Sequence, residues 1–177
     1  NSTGHQLWNA TYGSDQYEGP NGVTTDSNNN VIVTGTKHNY STDSDIWKTI
    51  KYDSSGNQLW IKEYGDKDYG YDQAYAVATD SNDNIYVTGS VGNSTPYEGD
   101  SNPHFILTKY DPDGNLVWDI GYESEKYGGS EGIAIDSKDN IIVTGSTTPD
   151  VGLDSDLLSV KYDSSGNQLW NRTYNAG

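Results

Sequence analysis

Apolar residues along this chain fall in short β-branched runs parted by polar turn residues, and never in a stripe at helical spacing. One run recurs with its turn at Asp26–Gly35, Asp80–Gly89 and Asp136–Gly145. Each copy reads Asp-Ser-x-x-Asn and then (Ile/Val)-x-Val-Thr-Gly. A second phrase alternates with it, at Lys51–Trp60, Lys109–Trp118 and Lys161–Trp170. Its first and last copies are identical. Two phrases with one shared period mark an array of a single structural unit. Trp8, Trp60, Trp118 and Trp170 lie 52, 58 and 52 residues apart, so the unit is about 54 residues long.

Each unit reads as four strands. The first is small and apolar (Gly22–Thr25, Ala74–Thr79, Gly132–Ile135), as expected where strands crowd at a common axis. The second is a continuous β-branched run (Val31–Thr34, Ile85–Thr88, Ile141–Thr144), expected to be buried on both faces. The third (Asp45–Tyr52, His104–Tyr110, Ser155–Tyr162) carries one large apolar residue: Trp47, Phe105 or Leu157. An Asp-x-x-Gly-Asn turn then leads into the fourth strand, Gln58–Tyr64, Leu116–Tyr122 and Gln168–Tyr174. A tyrosine follows every repeat tryptophan by four residues (Tyr12, Tyr64, Tyr122, Tyr174). Even spacing puts both rings on one strand face, where they are expected to pack against the next unit. Four antiparallel strands in a period of roughly 40–55 residues predict an all-β chain of β-propeller blades.

The paired phrases resemble the β-propeller repeat called SBBP, found in secreted and surface proteins of bacteria and archaea. The resemblance covers essentially the whole chain. It implies a propeller fold and an extracellular or cell-surface location, and it transfers no catalytic residue.

The strand count predicts three four-stranded antiparallel repeats plus one extra N-terminal strand. Residues 1–13 read as the outer strand of a preceding or neighbouring blade, followed by blade 1 (14–64), blade 2 (65–122) and blade 3 (123–177). Propellers close with about four to eight blades, so three leave two open flanks of aromatic and β-branched surface. The near-identical segments Gln6–Tyr12 and Gln168–Tyr174 make Leu7, Trp8, Tyr12, Leu169, Trp170 and Tyr174 the expected assembly edge. Three readings fit: an excerpt of a longer repeat protein, several chains closing one ring, or an N-terminal strand that joins a neighbouring molecule into an open polymer.

A net charge of −16, with one arginine and nine lysines, opposes nucleic acid and anionic membrane surfaces as partners. No apolar run approaches the roughly 20 residues a bilayer span needs, so membrane insertion is not expected. Zero cysteines exclude disulfides and thiolate sites. His5, His38 and His104 fall at three different repeat phases and share no ligand spacing. No nucleophile elbow, phosphate loop or metalloprotease helix occurs, so catalytic residues are expected to be absent. The alternate oxygens of Asp111, Asp113 and Asn115, with Asp80, Asn82, Asn84 and Asp26, Asn28, Asn30, suit calcium. Hairpin turns need the same residues, so the reading is turn first, with no cofactor and no metal site assigned and calcium kept open. The recurring Lys51, Lys109 and Lys161 are expected to answer a neighbouring aspartate.

Asn-x-Ser/Thr sequons at Asn1, Asn9, Asn39, Asn93 and Asn171 make N-linked glycans expected partners. Asn9 and Asn171 adjoin the tryptophan on an outer strand and are expected to point away from it. The resulting expectation is a non-enzymatic, extracellular, self-assembling structural module. It is part of a larger protein, oligomer or filament and meets other copies of itself or further repeats of the same chain. The alternative is a carbohydrate-binding propeller in which Tyr17, Tyr40, Tyr69, Tyr97 and Tyr127 stack on sugar rings.

Overall fold

The computed structural model describes residues 3–13, 17–65, 70, 72–92, 103–122, 127–148 and 155–174. The described residues form strands and no helix. The strands are β1 (Glu18–Thr25), β2 (Val31–Asn39), β3 (Ser44–Tyr52), β4 (Gln58–Tyr64), β5 (Gln73–Thr79), β6 (Ile85–Gly92), β7 (Pro103–Tyr110), β8 (Leu116–Tyr122), β9 (Tyr127–Ile135), β10 (Ile141–Thr148), β11 (Asp156–Tyr162) and β12 (Gln168–Tyr174). They make three four-stranded sheets, β1–β4, β5–β8 and β9–β12, in each of which neighbours in sequence pair antiparallel. Each sheet is one propeller-like blade. The first strands β1, β5 and β9 lie side by side.

The first two strands of a blade outrun the apolar phrase that predicts them. Lys37, His38 and Asn39 still pair with Ile46, Asp45 and Ser44, so β2 continues as far as its hairpin. Backbone pairing asks only for an extended partner, so polar side chains serve at this half-buried end of the ladder.

Six tight turns share one geometry. The backbone N–H of the leading aspartate bonds the carbonyl of the asparagine four residues on, at 2.8–3.1 Å. The carboxylate accepts the same asparagine's backbone N–H and side-chain amide. The residue before the asparagine lies at positive φ in every case. It is Asn29 (60°), Asp83 (62°) or Asp139 (58°) after the first strand, and Gly56 (88°), Gly114 (81°) or Gly166 (87°) after the third.

One core lies between blades 1 and 2 and another between blades 2 and 3. Blade 2 is covered on both sides, and its β6 is buried without a break from Ile85 to Ser90. The outer blades are not. In β2, Ile32 and Thr34 are buried against blade 2 while Val31 and Val33 on the opposite face are half-buried. In β10 the phase reverses: Ile141 and Val143 are buried, Ile142 is half-buried and Thr144 is exposed. Burial on both faces therefore holds for the second strand of the middle blade only. Residues 3–13 join none of the three ladders.

Candidate functional site

Blade 1 meets blade 2 through a set of contacts that blade 2 repeats toward blade 3. At the first turn, the Ser27 backbone N–H and hydroxyl donate to the Asp83 carboxylate at 2.8 and 2.7 Å. Ser81 does the same to Asp139 at 3.0 and 2.6 Å. At the second turn, the Lys51 ammonium donates to the Pro112 carbonyl at 3.1 Å and that of Lys109 to the Ser164 carbonyl at 2.9 Å. Trp60 rests on Gly114 and Trp118 on Gly166, with ring atoms 2.9 and 3.5 Å from where a Cβ would stand. The Tyr64 hydroxyl donates to Asp119 at 2.6 Å, and that of Tyr122 accepts from the Asn171 amide at 3.0 Å. In the third strand Trp47 is 1% exposed and Phe105 3%, each sealed against the following blade.

The turn positions explain why two αL residues of one geometry differ. After the third strand a Cβ would collide with the Trp8 ring at Gly56 and the Trp60 ring at Gly114, while at Gly166 it would meet Trp118 in ordinary contact. At all three, glycine takes the positive φ freely. After the first strand a carboxylate is needed to hold the preceding serine, and aspartate tolerates αL better than most residues.

Ion pairs also brace the turns within single blades. Lys51 also pairs with Asp26 at 2.9 Å, both side chains being buried. Burial pushes the Asp26 carboxyl up, but the bonds from Lys51 and Asn30 outweigh it and leave the group below its ordinary value. Lys161 bonds Asp136 at 2.6 Å and, with Asn140, holds that carboxyl well below the carboxylate range. Lys109 lies over the Tyr86 ring at 5.3 Å, and its charge adds to the bonds from Ser81 that hold the Asp139 carboxyl below its ordinary value. Burial pushes the Tyr110 hydroxyl up to about 12.

On blade 3 the same side chains meet no following blade among the described residues. Leu157, in the place of Trp47 and Phe105, is 56% exposed; Trp170 is 37% and Tyr174 70% exposed, and Leu169 is exposed too. At the other end, Trp8 sits on Gly56, with a ring atom 2.8 Å from the Cβ position, and its ring lies 6.1 Å from that of Tyr52. Residues 3–13 thus take the place of a preceding blade's outer strand without its ladder. The Tyr12 hydroxyl accepts from Lys48 at 2.8 Å, and Leu7 is exposed.

Of the sequons, Asn9 is exposed, while Asn39 ends β2 and its side-chain oxygen accepts from the Ser41 backbone N–H and hydroxyl. The Asn171 amide nitrogen, the atom a glycan would use, is the one given to Tyr122. Asn1 and Asn93 lie outside the described residues, as do Tyr69 and Tyr97. Tyr17 and Tyr40 are exposed, and Tyr127 opens β9. His38 bonds Asp45 at 2.7 Å. Among the described residues no group of His, Asp and Glu side chains is arranged to hold a metal ion. No helix among them is long and apolar enough to cross a membrane.

The family described as Beta-propeller repeat, SBBP, matches residues 59–98. That stretch is similar to one SBBP repeat. The matched stretch runs from β4 into β5 and β6, so it joins Trp60 and Tyr64 to the strands of the next blade. The chain is also 31% identical over 146 residues to an uncharacterized WD repeat-containing protein of Acanthamoeba polyphaga mimivirus. That match covers 80% of this chain and only 8% of the viral protein. Both likenesses support a repeat-built interaction or structural module.

The serine–aspartate clasp escapes sequence reasoning, because Ser27, Ser81, Asp83 and Asp139 all read as ordinary turn residues. One signal was available. The αL position carries aspartate after two first strands and glycine after every third strand, although both turns have the same shape.

Proposed function

We propose that this chain is a non-catalytic structural module, working outside the cell, whose blades are joined flank to flank with further copies of the same blade. The observation that carries it is the contrast along one repeat position: Trp47 and Phe105 are sealed by a following blade while Leu157 is exposed. Trp170 and Tyr174 repeat that contrast on the outer strand. An apolar flank of this kind gains free energy when another sheet covers it. Sedimentation of the chain over a concentration series tests the reading. Association that disappears in Leu157→Asp supports it, and a monomer at every concentration ends it.

We include N-linked glycans at the exposed Asn9 and the hairpin Asn39 in this proposal. Treatment of protein from its native source with an endoglycosidase should lower its mass; an unchanged mass removes the glycans from the picture.

Carbohydrate binding remains the second reading, favoured by one recess of about 340 Å³ lined by Tyr17, Asn21, His38, Asp45, Gln73 and Tyr75. An exposed aromatic ring beside polar side chains suits a sugar's apolar face and hydroxyls. A glycan array with hits lost in Tyr17→Ala supports it, and an array without hits rejects it.

A further inference from the structure

We propose that the outward flank of blade 1 is the receptor for β11 and β12 of a second copy of this chain, and that residues 3–13 hold the receptor closed. The proposal rests on the assembly reading and names the surface that assembly uses.

Between residues 3–13 and blade 1 lies a cavity of about 290 Å³, lined by Pro20, Gly35, Thr36, Lys48 and Tyr52 beneath Trp8. The repeat register equates these positions with Ala74, Gly89, Ser90, Ile106 and Tyr110 of blade 2. That is where Trp47 of blade 1 is seated. Its indole N–H donates to the Ser90 carbonyl at 3.0 Å, and its ring lies 2.7 Å from a Cβ position on Gly89. The cavity is therefore the seat of a third-strand side chain from a blade before blade 1. Leu157 is the exposed member of that residue series, and a second copy can deliver it there.

Delivery of Leu157 brings β12 with it, and β12 needs the ground residues 3–13 hold. Gln6–Tyr12 and Gln168–Tyr174 are identical at six of seven positions. Trp170 would come to Gly56, where Trp8 now sits, and Tyr174 to Lys48, where Tyr12 now sits. One slot cannot hold both segments. Residues 3–13 have the advantage of being tethered, which raises their effective concentration. The β12 segment has the advantage of being fixed in a ladder with β11, so less ordering is lost on docking.

The one position that differs favours the second copy. Ala10 lines the cavity, and its counterpart is Arg172, the only arginine of the chain. At the receptor, Lys48 faces two carboxylates, Glu18 at 3.7 Å and Glu63 at 3.4 Å. Both Glu18 carboxylate oxygens are buried without a hydrogen bond. A docked Arg172 guanidinium supplies charged donors to the Glu18 carboxylate. The contact is head-to-tail, so it propagates as a ring or a filament.

The test compares the full chain with full-length Trp8→Ala and Arg172→Glu by sedimentation over a concentration series. Trp8→Ala loosens the closing segment and should strengthen association about tenfold, the factor that 1.4 kcal/mol yields. Arg172→Glu lies at the exposed edge and should weaken association while leaving thermal unfolding of the dilute chain unchanged. A wild-type chain that associates while Trp8→Ala associates less overturns the receptor and makes residues 3–13 the connector. Equal association of wild type and both variants overturns it as well. A chain that stays monomeric in all three forms overturns the assembly reading, and the receptor with it.

Discussion

The Asp83 carboxylate accepts both the backbone N–H and the hydroxyl of Ser27 across the boundary between blades 1 and 2, from a backbone held at φ 62°. Two substitutions separate the clasp from the backbone. Asp83→Gly keeps the αL conformation and removes the acceptor, which should cost about 1 kcal/mol. Asp83→Ala should cost roughly 1–2 kcal/mol more, because alanine must also enter αL. Urea denaturation reads both, and equal losses for the two variants would show that the turn carries no backbone demand.

Gly114 and Gly166 stand at equivalent turns but under tryptophans at different distances. A Cβ on Gly114 would meet the Trp60 ring at 2.9 Å, and one on Gly166 would meet Trp118 at 3.5 Å, an ordinary contact. Gly166→Ala should therefore cost about 1–2 kcal/mol for positive φ alone. Gly114→Ala should exceed that by about 1–3 kcal/mol of overpacking at the blade joint. Thermal melts of the two variants side by side test the ordering, which equal shifts would contradict.

Lys51 and Asp26 form a pair with side chains 5% and 1% exposed. Lys51→Met leaves the Asp26 carboxylate buried without its cation, at a cost of about 3 kcal/mol. The pH dependence has a definite sign. The folded Asp26 carboxyl lies below its ordinary value, so its contribution is fully present above the unfolded value near pH 4 and fades as pH falls through the folded one. In Lys51→Met only the turn bonds from Asn28 and Asn30 still oppose burial at that carboxyl, and the loss should begin at higher pH. Unfolding midpoints measured from pH 3 to 7 check this; parallel profiles for wild type and variant would refute it.

The repeat phrases made much of this architecture readable. The fourth strands Gln58–Tyr64, Leu116–Tyr122 and Gln168–Tyr174 run to the predicted residues, because a turn fixes one end and the Trp–Tyr face the other. The starts of β1 and β9 and the ends of β2, β6 and β10 were not readable. There the pairing partner lies across a hairpin, and polar side chains leave no periodic mark. The flanking aromatics stood out by even spacing, which reports which face a side chain is on. Ser27 and Asp83 did not, since a clasp between two turns 56 residues apart has no local pattern. The exposure of Leu157 follows only from the count of blades, because its position looks like that of Trp47 and Phe105.

That equivalence yields a comparison between two truncations at one repeat position. Trp47 is enclosed by blade 2, so Trp47→Ala should cost about 3–5 kcal/mol at any protein concentration. Leu157 faces outward in a single copy, and Leu157→Ala should change the stability of dilute protein by no more than about 0.5 kcal/mol. When copies join, the folded state is stabilised by mass action and Leu157 becomes part of a joint. The cost of Leu157→Ala should then grow with protein concentration while that of Trp47→Ala stays constant. Thermal melts at low and high concentration measure both, and a Leu157→Ala penalty that does not move with concentration would remove this residue from the joint.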